Sequence, residues 1–148
     1  MTIVTVKTVT DKNGKYIFTM PASKVTVEAA FAVENSFVDV SSDAYYYDAV
    51  LWAAEKGITD GTSDTTFSPD MECSRAHMAT FLCRMAGGKA ESDTIAFNDV
   101  KADAYYAESV QWAVKNGITK GTGNNKFSPD TTCTRGQMVT FLYRYYVK

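Results

Sequence analysis

Sixty residues separate two copies of one pattern, with no gap between them. Phe37-Val38-Asp39-Val40 returns as Phe97-Asn98-Asp99-Val100, and the register holds through Arg84 and Arg144. Across positions 37–84 and 97–144, 26 of 48 residues are identical. A repeat of this period is a supersecondary unit that buries its apolar face against a neighbour rather than alone. Comparing the copies then separates positions that kept their side chain from positions that changed.

With 148 residues the chain has room for one compact domain of ordinary size, or for two small units sharing a core. A net charge of -2 and a pI near 5.3 give no reason to expect a polyphosphate partner. Lys and Arg are scattered rather than clustered, so no nucleic-acid partner is expected either. The apolar runs fall short of the roughly 18 residues a membrane helix needs, which argues against membrane insertion. No charged segment followed by an apolar run opens the chain, so no signal peptide is read there. Met1 runs straight into a strand-like pattern, as in a piece trimmed from a longer protein.

Residues 1–33 read as β. Val4 and Val6 alternate with Thr5 and Lys7, the run from Asp11 to Gly14 is turn chemistry, and Tyr16, Phe18 and Met20 alternate with polar or flanking residues. A third alternating run covers Val25 to Ala29. The stretch from Phe18 to Val27 resembles the closing strands of small β-repeat domains in bacterial surface proteins, which makes 1–33 the remnant of a preceding β-domain. The alternative is a simple hairpin packed on helices.

Each repeat reads as helix, long loop, helix. The first helix is expected over 43–56 and, in the copy, over 103–116. Tyr46, Val50 and Ala53 have the i, i+4, i+7 spacing of a core-facing stripe. The changed pairs Tyr47/Ala107, Asp48/Glu108, Leu51/Gln111 and Glu55/Lys115 fall on the expected solvent face. Gly57 and Gly117 stand where a left-handed residue ends a helix. The loops Gly57–Thr62 and Phe67–Asp70 return as Gly117–Thr122 and Phe127–Asp130, nearly unchanged. The second helix opens at Ser74 or Thr134, both good N-caps. Met78, Phe81 and Leu82, with Met138, Phe141 and Leu142, form its buried stripe. Residues 34–86 and 97–148 are then two modules, with 87–96 as linker.

The run Phe-x-Asp-Val, Tyr-Tyr, Val-x-Trp-Ala, Gly-Ile-Thr-x-Gly-Thr, Phe-Ser-Pro-Asp and Ser/Thr-Arg before Met-x-Thr-Phe-Leu resembles the S-layer homology family. The resemblance covers both repeats, about two thirds of the chain. It implies a mainly α fold, with helix–loop–helix modules forming part of a pseudo-threefold helical bundle beside the small N-terminal β segment. It also implies a non-catalytic function: anchoring an exported bacterial protein to secondary cell-wall polysaccharide, often one bearing pyruvate ketals. That places the chain outside the cell, at the cell wall. Such modules commonly occur in threes, whereas two are present here. A second chain supplying the missing module, as a homo-oligomer, is the competing expectation.

Arg75 and Arg135 follow an N-cap directly, where a side chain is not expected in the core. A helix N-terminus carries partial positive charge and free N–H groups, so it favours anions. The guanidinium fork matches a carboxylate bidentately, and a pyruvate ketal presents one. The competing role is a salt bridge to Asp39 or Asp70, or to their copies Asp99 and Asp130. Ser74 and Thr134 flank the same helix starts. Gly61 and Gly121 permit close backbone approach and could offer N–H groups to a sugar, or serve only the loop turn. Trp52 and Trp112 could stack on a pyranose, although their helical spacing favours core packing. Tyr45 and Tyr105 could line a groove, and Asp39 and Asp99 are expected to order the approach to the first helix.

His77 and Gln137 occupy the position where the family carries a Glu that closes the capping box; Gln can replace it, and His is expected to do so poorly. His77 is the only histidine, so neither a metal site nor a nucleophile–base pair is expected. Asp60, Asp64 and Asp70 lack calcium-loop spacing, and the copy has Lys120 and Asn124. No cofactor is expected, and the chain is read as not an enzyme. Cys73, Cys83 and Cys133 are expected as free, buried thiols, because equivalent residues of two copies rarely approach closely enough to bond.

Overall fold

The computed structural model describes residues 10–12, 15–17, 34–89 and 97–147. The chain divides into two units, Met1–Ala32 and Val33–Lys148. In the first, β1 (Thr10–Lys12) pairs antiparallel with β2 (Lys15–Ile17), with Asp11 opposite Tyr16. Asp11 and Lys12, expected in the turn, are therefore strand residues. The expected strands at Val4–Lys7 and Val25–Ala29 lie outside the described residues.

Among its described residues the second unit has four helices: α1 (Tyr47–Glu55), α2 (Arg75–Met85), α3 (Ala107–Lys115) and α4 (Arg135–Tyr146). The described part is thus mainly α. The first helix of each repeat begins four residues later than its periodicity suggests. Two successive i to i+3 turns precede it: Ala44 N–H donates to Ser41 and Tyr47 N–H to Ala44, each at 3.0 Å. Lys101, Ala104 and Ala107 repeat the arrangement. Such turns carry helix-like spacing without forming an α-helix.

The helix stops follow the sequence closely. Gly57 has φ +65, its N–H meets the Ala54 carbonyl at 2.9 Å, and Ile58 N–H meets Ala53 at 2.8 Å. These two bonds satisfy carbonyls left open at the helix end in the Schellman pattern. Gly117-Ile118 and Gly87-Gly88 end α3 and α2 by the same bonds. At the other end, Ser74 and Thr134 both close capping boxes. The expectation of a poor cap at His77 is corrected: its Nδ1 accepts from Ser74 N–H at 3.2 Å, the distance Gln137 Oε1 keeps to Thr134 N–H.

Packing is unequal between the copies. α2 lies against α3 and contributes to two apolar clusters of the second repeat. Met78, Leu82 and Cys83 join Trp112, Ile118, Cys133 and Phe141, while Ala79 joins Phe97, Val110 and Phe127. Among the described residues the first repeat has a small cluster of its own around Phe37, Val40 and Val50. Seven α2 residues are buried, but Phe141 alone is buried in α4. Ala107, read as solvent-facing, is also buried, because it joins the cluster in which the second repeat packs on Ala79 of α2, the first repeat's own second helix.

A loop tie recurs in both copies. The Asp39 carboxylate accepts from Phe67 N–H at 2.9 Å and Ser68 N–H at 2.7 Å; Asp99 does the same for Phe127 and Ser128 at 2.8 and 2.9 Å. These aspartates therefore order the Phe-Ser-Pro-Asp loop, whose serines hold φ +58, rather than the start of the first helix. The amide of Phe67 holds Asp39 below the ordinary value of 3.8, with Ser68 adding to it. Burial pushes Asp99 up, but the Phe127 and Ser128 amides outweigh it and leave it lowered. A carboxyl depressed in the folded state adds stability above its unfolded pKa and loses it as pH falls through the folded value. Acid titration followed by circular dichroism should show stability falling below about pH 4. Asp99→Asn should flatten that acid dependence while lowering stability at neutral pH.

Candidate functional site

The two repeats meet through backbone as well as side chains. Cys133 N–H donates to the Cys73 carbonyl at 2.8 Å, and Arg75 N–H donates to Thr131 at 2.9 Å. These bonds flank an antiparallel bridge between Ser74 and Thr132. Ala76 N–H continues the contact, reaching the Pro129 carbonyl at 3.0 Å. His77 N–H is taken by Ser74 Oγ at 3.2 Å. Three open N–H groups of the α2 N-terminus are thereby occupied, two of them by carbonyls of the second repeat.

The Arg75 side chain follows the same path, and the expectation that it stays out of the core is wrong. It is 3% exposed, its Nε donates to the Phe127 carbonyl at 2.9 Å, and its guanidinium lies 4.9 Å from the Phe127 ring and 5.4 Å from that of Phe141. Nη2 is buried without a hydrogen-bond partner among the described residues. Burial pulls its pKa below the ordinary arginine value, against the opposing fields of Cys133 and Asp99. Among the described residues Arg75 makes no salt bridge to Asp39 or Asp70, whereas Lys56 pairs with Glu55 and Arg84 with Asp60.

Arg135 stands differently. It is exposed, and neither its own N–H nor that of Gly136 has a partner among the described residues. Thr134 Oγ1 accepts from Gln137 N–H at 3.2 Å, so the helix is capped at its third donor. Of the two predicted anion sites, only the second has an exposed arginine and first-turn N–H groups without a partner among the described residues.

A cleft of 570 Å³ opens beside the contact between repeats. The first-repeat loop contributes Thr59 to Thr62 and Ser68, α2 contributes His77, Thr80 and Arg84, and the second repeat contributes Tyr105. His77 lies between Phe81 and Tyr105, with ring centroids 6.4 and 6.3 Å away. Arg84 pairs with Asp60 at 2.7 Å. Thr80 is buried, with Oγ1 unpartnered among the described residues.

Of the sugar-binding candidates named from the sequence, Gly61 and Tyr105 line this cleft. Arg75, Arg135, Ser74, Thr134, Gly121, Tyr45, Trp52 and Trp112 do not. Gly61 and Gly121 each give their N–H to a threonine two residues earlier, at 3.1 Å, so those amides are not open to a sugar. The core reading of the tryptophans holds for Trp112, 7% exposed and 6.0 Å from the Tyr145 ring, and fails for Trp52, which is 51% exposed. Tyr45 is almost fully exposed, with its ring against Tyr46. Arg84 was missed as a cleft residue, although its identity with Arg144 was visible in the repeat. Both tie a helix end to the loop, through the carbonyls of Ile58 and Ile118. The copies differ in charge there, since Lys120 replaces Asp60.

Among the described residues no group of three or more His, Cys, Asp or Glu is arranged to hold a metal, and no helix is long and apolar enough to cross a membrane.

Residues 36–79 and 96–139 match the family described as S-layer homology domain. A cell surface protein of Thermoanaerobacter kivui is 35% identical over 77% of the chain. A surface-layer 125 kDa protein of Lysinibacillus sphaericus is 33% identical over 82%. An amylopullulanase of Thermoanaerobacterium thermosulfurigenes is 30% identical over 86%. The matched segments make up 16%, 10% and 7% of those three proteins, so the chain corresponds to a small part of each.

Proposed function

Because this chain belongs to the S-layer homology family, we propose that it anchors a larger protein to an anionic secondary cell-wall polysaccharide, one bearing pyruvate ketals. Its place is the cell surface, and the family's role there is non-catalytic anchoring. The observation that supports the ligand chemistry is the open N-terminus of α4. Exposed Arg135 opens this helix, and its N–H and that of Gly136 have no partner among the described residues, at a helix end that favours an anion. The occupied counterpart at α2 supports the same reading: oxygen acceptors from the second repeat fill the equivalent donors. Lys120, where the first copy has Asp60, adds a cation to the second repeat. The cleft beside Tyr105 offers hydroxyls and rings suited to a neutral sugar of the same chain. In this reading the two modules are part of a pseudo-threefold bundle.

Co-sedimentation with purified polysaccharide tests this, with ketals intact or removed by mild acid. The chain should bind the intact polymer, and Arg135→Ala should weaken binding at least about tenfold, as loss of a charge-assisted pair implies. Undiminished binding by Arg135→Ala would reject the site. Binding indifferent to ketal removal would reject the carboxylate.

A second reading, an assembly module completed by another copy, is favoured by one observation. Val139 and Tyr143 on α4 are 59% and 64% exposed, whereas Ala79 and Cys83 of α2 are buried at the same positions. Light scattering separates the two, since a monomer at high concentration removes this alternative.

A further inference from the structure

The cysteines at equivalent positions of the two repeats do meet, contrary to the expectation that copies hold them apart. Cys73 and Cys133 are directly opposite in the short antiparallel contact, joined by the 2.8 Å bond from Cys133 N–H to the Cys73 carbonyl. Opposed residues of such a pair project side chains to the same face, with Cα atoms about 5.5 Å apart. A disulfide requires a Cα separation of about 4.4–6.8 Å. Both side chains belong to one apolar cluster with Met78, Leu82 and Phe141. Each thiol donates to the carbonyl of the following residue, Ser74 at 3.7 Å and Thr134 at 3.9 Å. All three cysteines are free: Cys83 and Cys133 are buried and Cys73 is half-buried.

We propose that Cys73 and Cys133 form an oxidisable pair, a site where a small-molecule disulfide staples the two repeats together. Cys73 is the first nucleophile, because it lines the cleft and the other two do not. Its thiolate attacks one sulfur of the small disulfide, giving a mixed disulfide and releasing one thiol. The Cys133 thiolate then attacks the Cys73 sulfur, closing the protein disulfide and releasing the second thiol. Two protein protons and two electrons pass to the reagent, which leaves as two thiols. Burial pushes both thiols up from their ordinary values, and Coulombic repulsion between them adds to the rise at Cys73. The reduced pair is therefore slow to react at neutral pH. Closure would cross-link the chain over 60 residues and restrict the unfolded state accordingly. Cys83 has no part in this; its thiol faces the Gly88 carbonyl at 3.3 Å.

The test is incubation of the dilute chain with oxidised glutathione at mildly alkaline pH, followed by thiol titration in denaturant, intact mass and a non-reducing peptide map. The expected result is a fall from three thiols to one, a mass lower by two hydrogens, and one linked peptide pair containing Cys73 and Cys133. The melting midpoint should rise and return on reduction. Cys83→Ala should still form the linkage, and Cys73→Ser should not. A stable glutathione adduct on Cys73, a linkage through Cys83, or three thiols still titrating would each overturn the proposal. The peptide map of the unmodified sequence decides the matter even if a variant folds poorly.

Discussion

Arg75→Ala should lower stability by about 2–4 kcal/mol in urea unfolding, while Arg135→Ala should stay within about 0.5 kcal/mol of the parent. The two arginines are equivalent in sequence and opposite in surroundings, one 3% exposed and the other exposed. Removing Arg75 deletes a charge-assisted bond to the Phe127 carbonyl and two ring contacts, and leaves a buried carbonyl without its partner. It also removes the cost of holding a desolvated cation with one unpaired nitrogen, which limits the loss. Arg75→Met isolates that last effect. It keeps an apolar stem between the rings and dispenses with the charge, so it should cost less than half as much as alanine. A methionine variant as unstable as the alanine one would mean that the charge, not the packing, holds the repeats together.

Gly121→Ala should cost about 3–4 kcal/mol and lower the melting midpoint by several degrees in calorimetry. Gly121 sits at φ +79, where an L side chain is strained by about 1–2 kcal/mol. A Cβ there would also strike the Lys126 carbonyl oxygen and stand 2.5 Å from Phe97 Cε1. Neither neighbour can yield cheaply, since one is backbone and the other is a ring in the second-repeat cluster. Gly57→Ala supplies the comparison. Its φ is +65, but nothing lies within 4 Å of the added carbon, so only the conformational cost of about 1 kcal/mol should appear. Equal losses at the two positions would remove the steric part of the argument.

Features set by neighbours in sequence were legible before any fold was known. The glycine helix stops and the Ser74 and Thr134 caps depend on a few adjacent residues, and they appear as read. The family resemblance was legible for the same reason. Features set by the second repeat packing onto α2 were not. Identity between copies does not imply a shared environment, since among the described residues the second repeat is covered by α2 and the first repeat by no equivalent helix. Arg75 and Arg135 therefore differ, as do Trp112 and Trp52. The glycine amides mark an intermediate case. Thr59 and Thr119 stand two residues before Gly61 and Gly121 in both copies, a visible sign that the amides already had an acceptor.

The placement of α2 bears on where the chain can be cut. The helix pair repeated in sequence, α1 with α2, is offset from the helix pair that packs, α2 with α3. A boundary drawn at 87–96 keeps each copy of the sequence whole but separates Met78, Ala79 and Leu82 from the second-repeat residues they cover. A fragment beginning near the loop tip at 63–66 would instead carry α2 along with the repeat it shields. Gene fusions and limited proteolysis should therefore respect the later helix of one copy and the earlier helix of the next as a single piece.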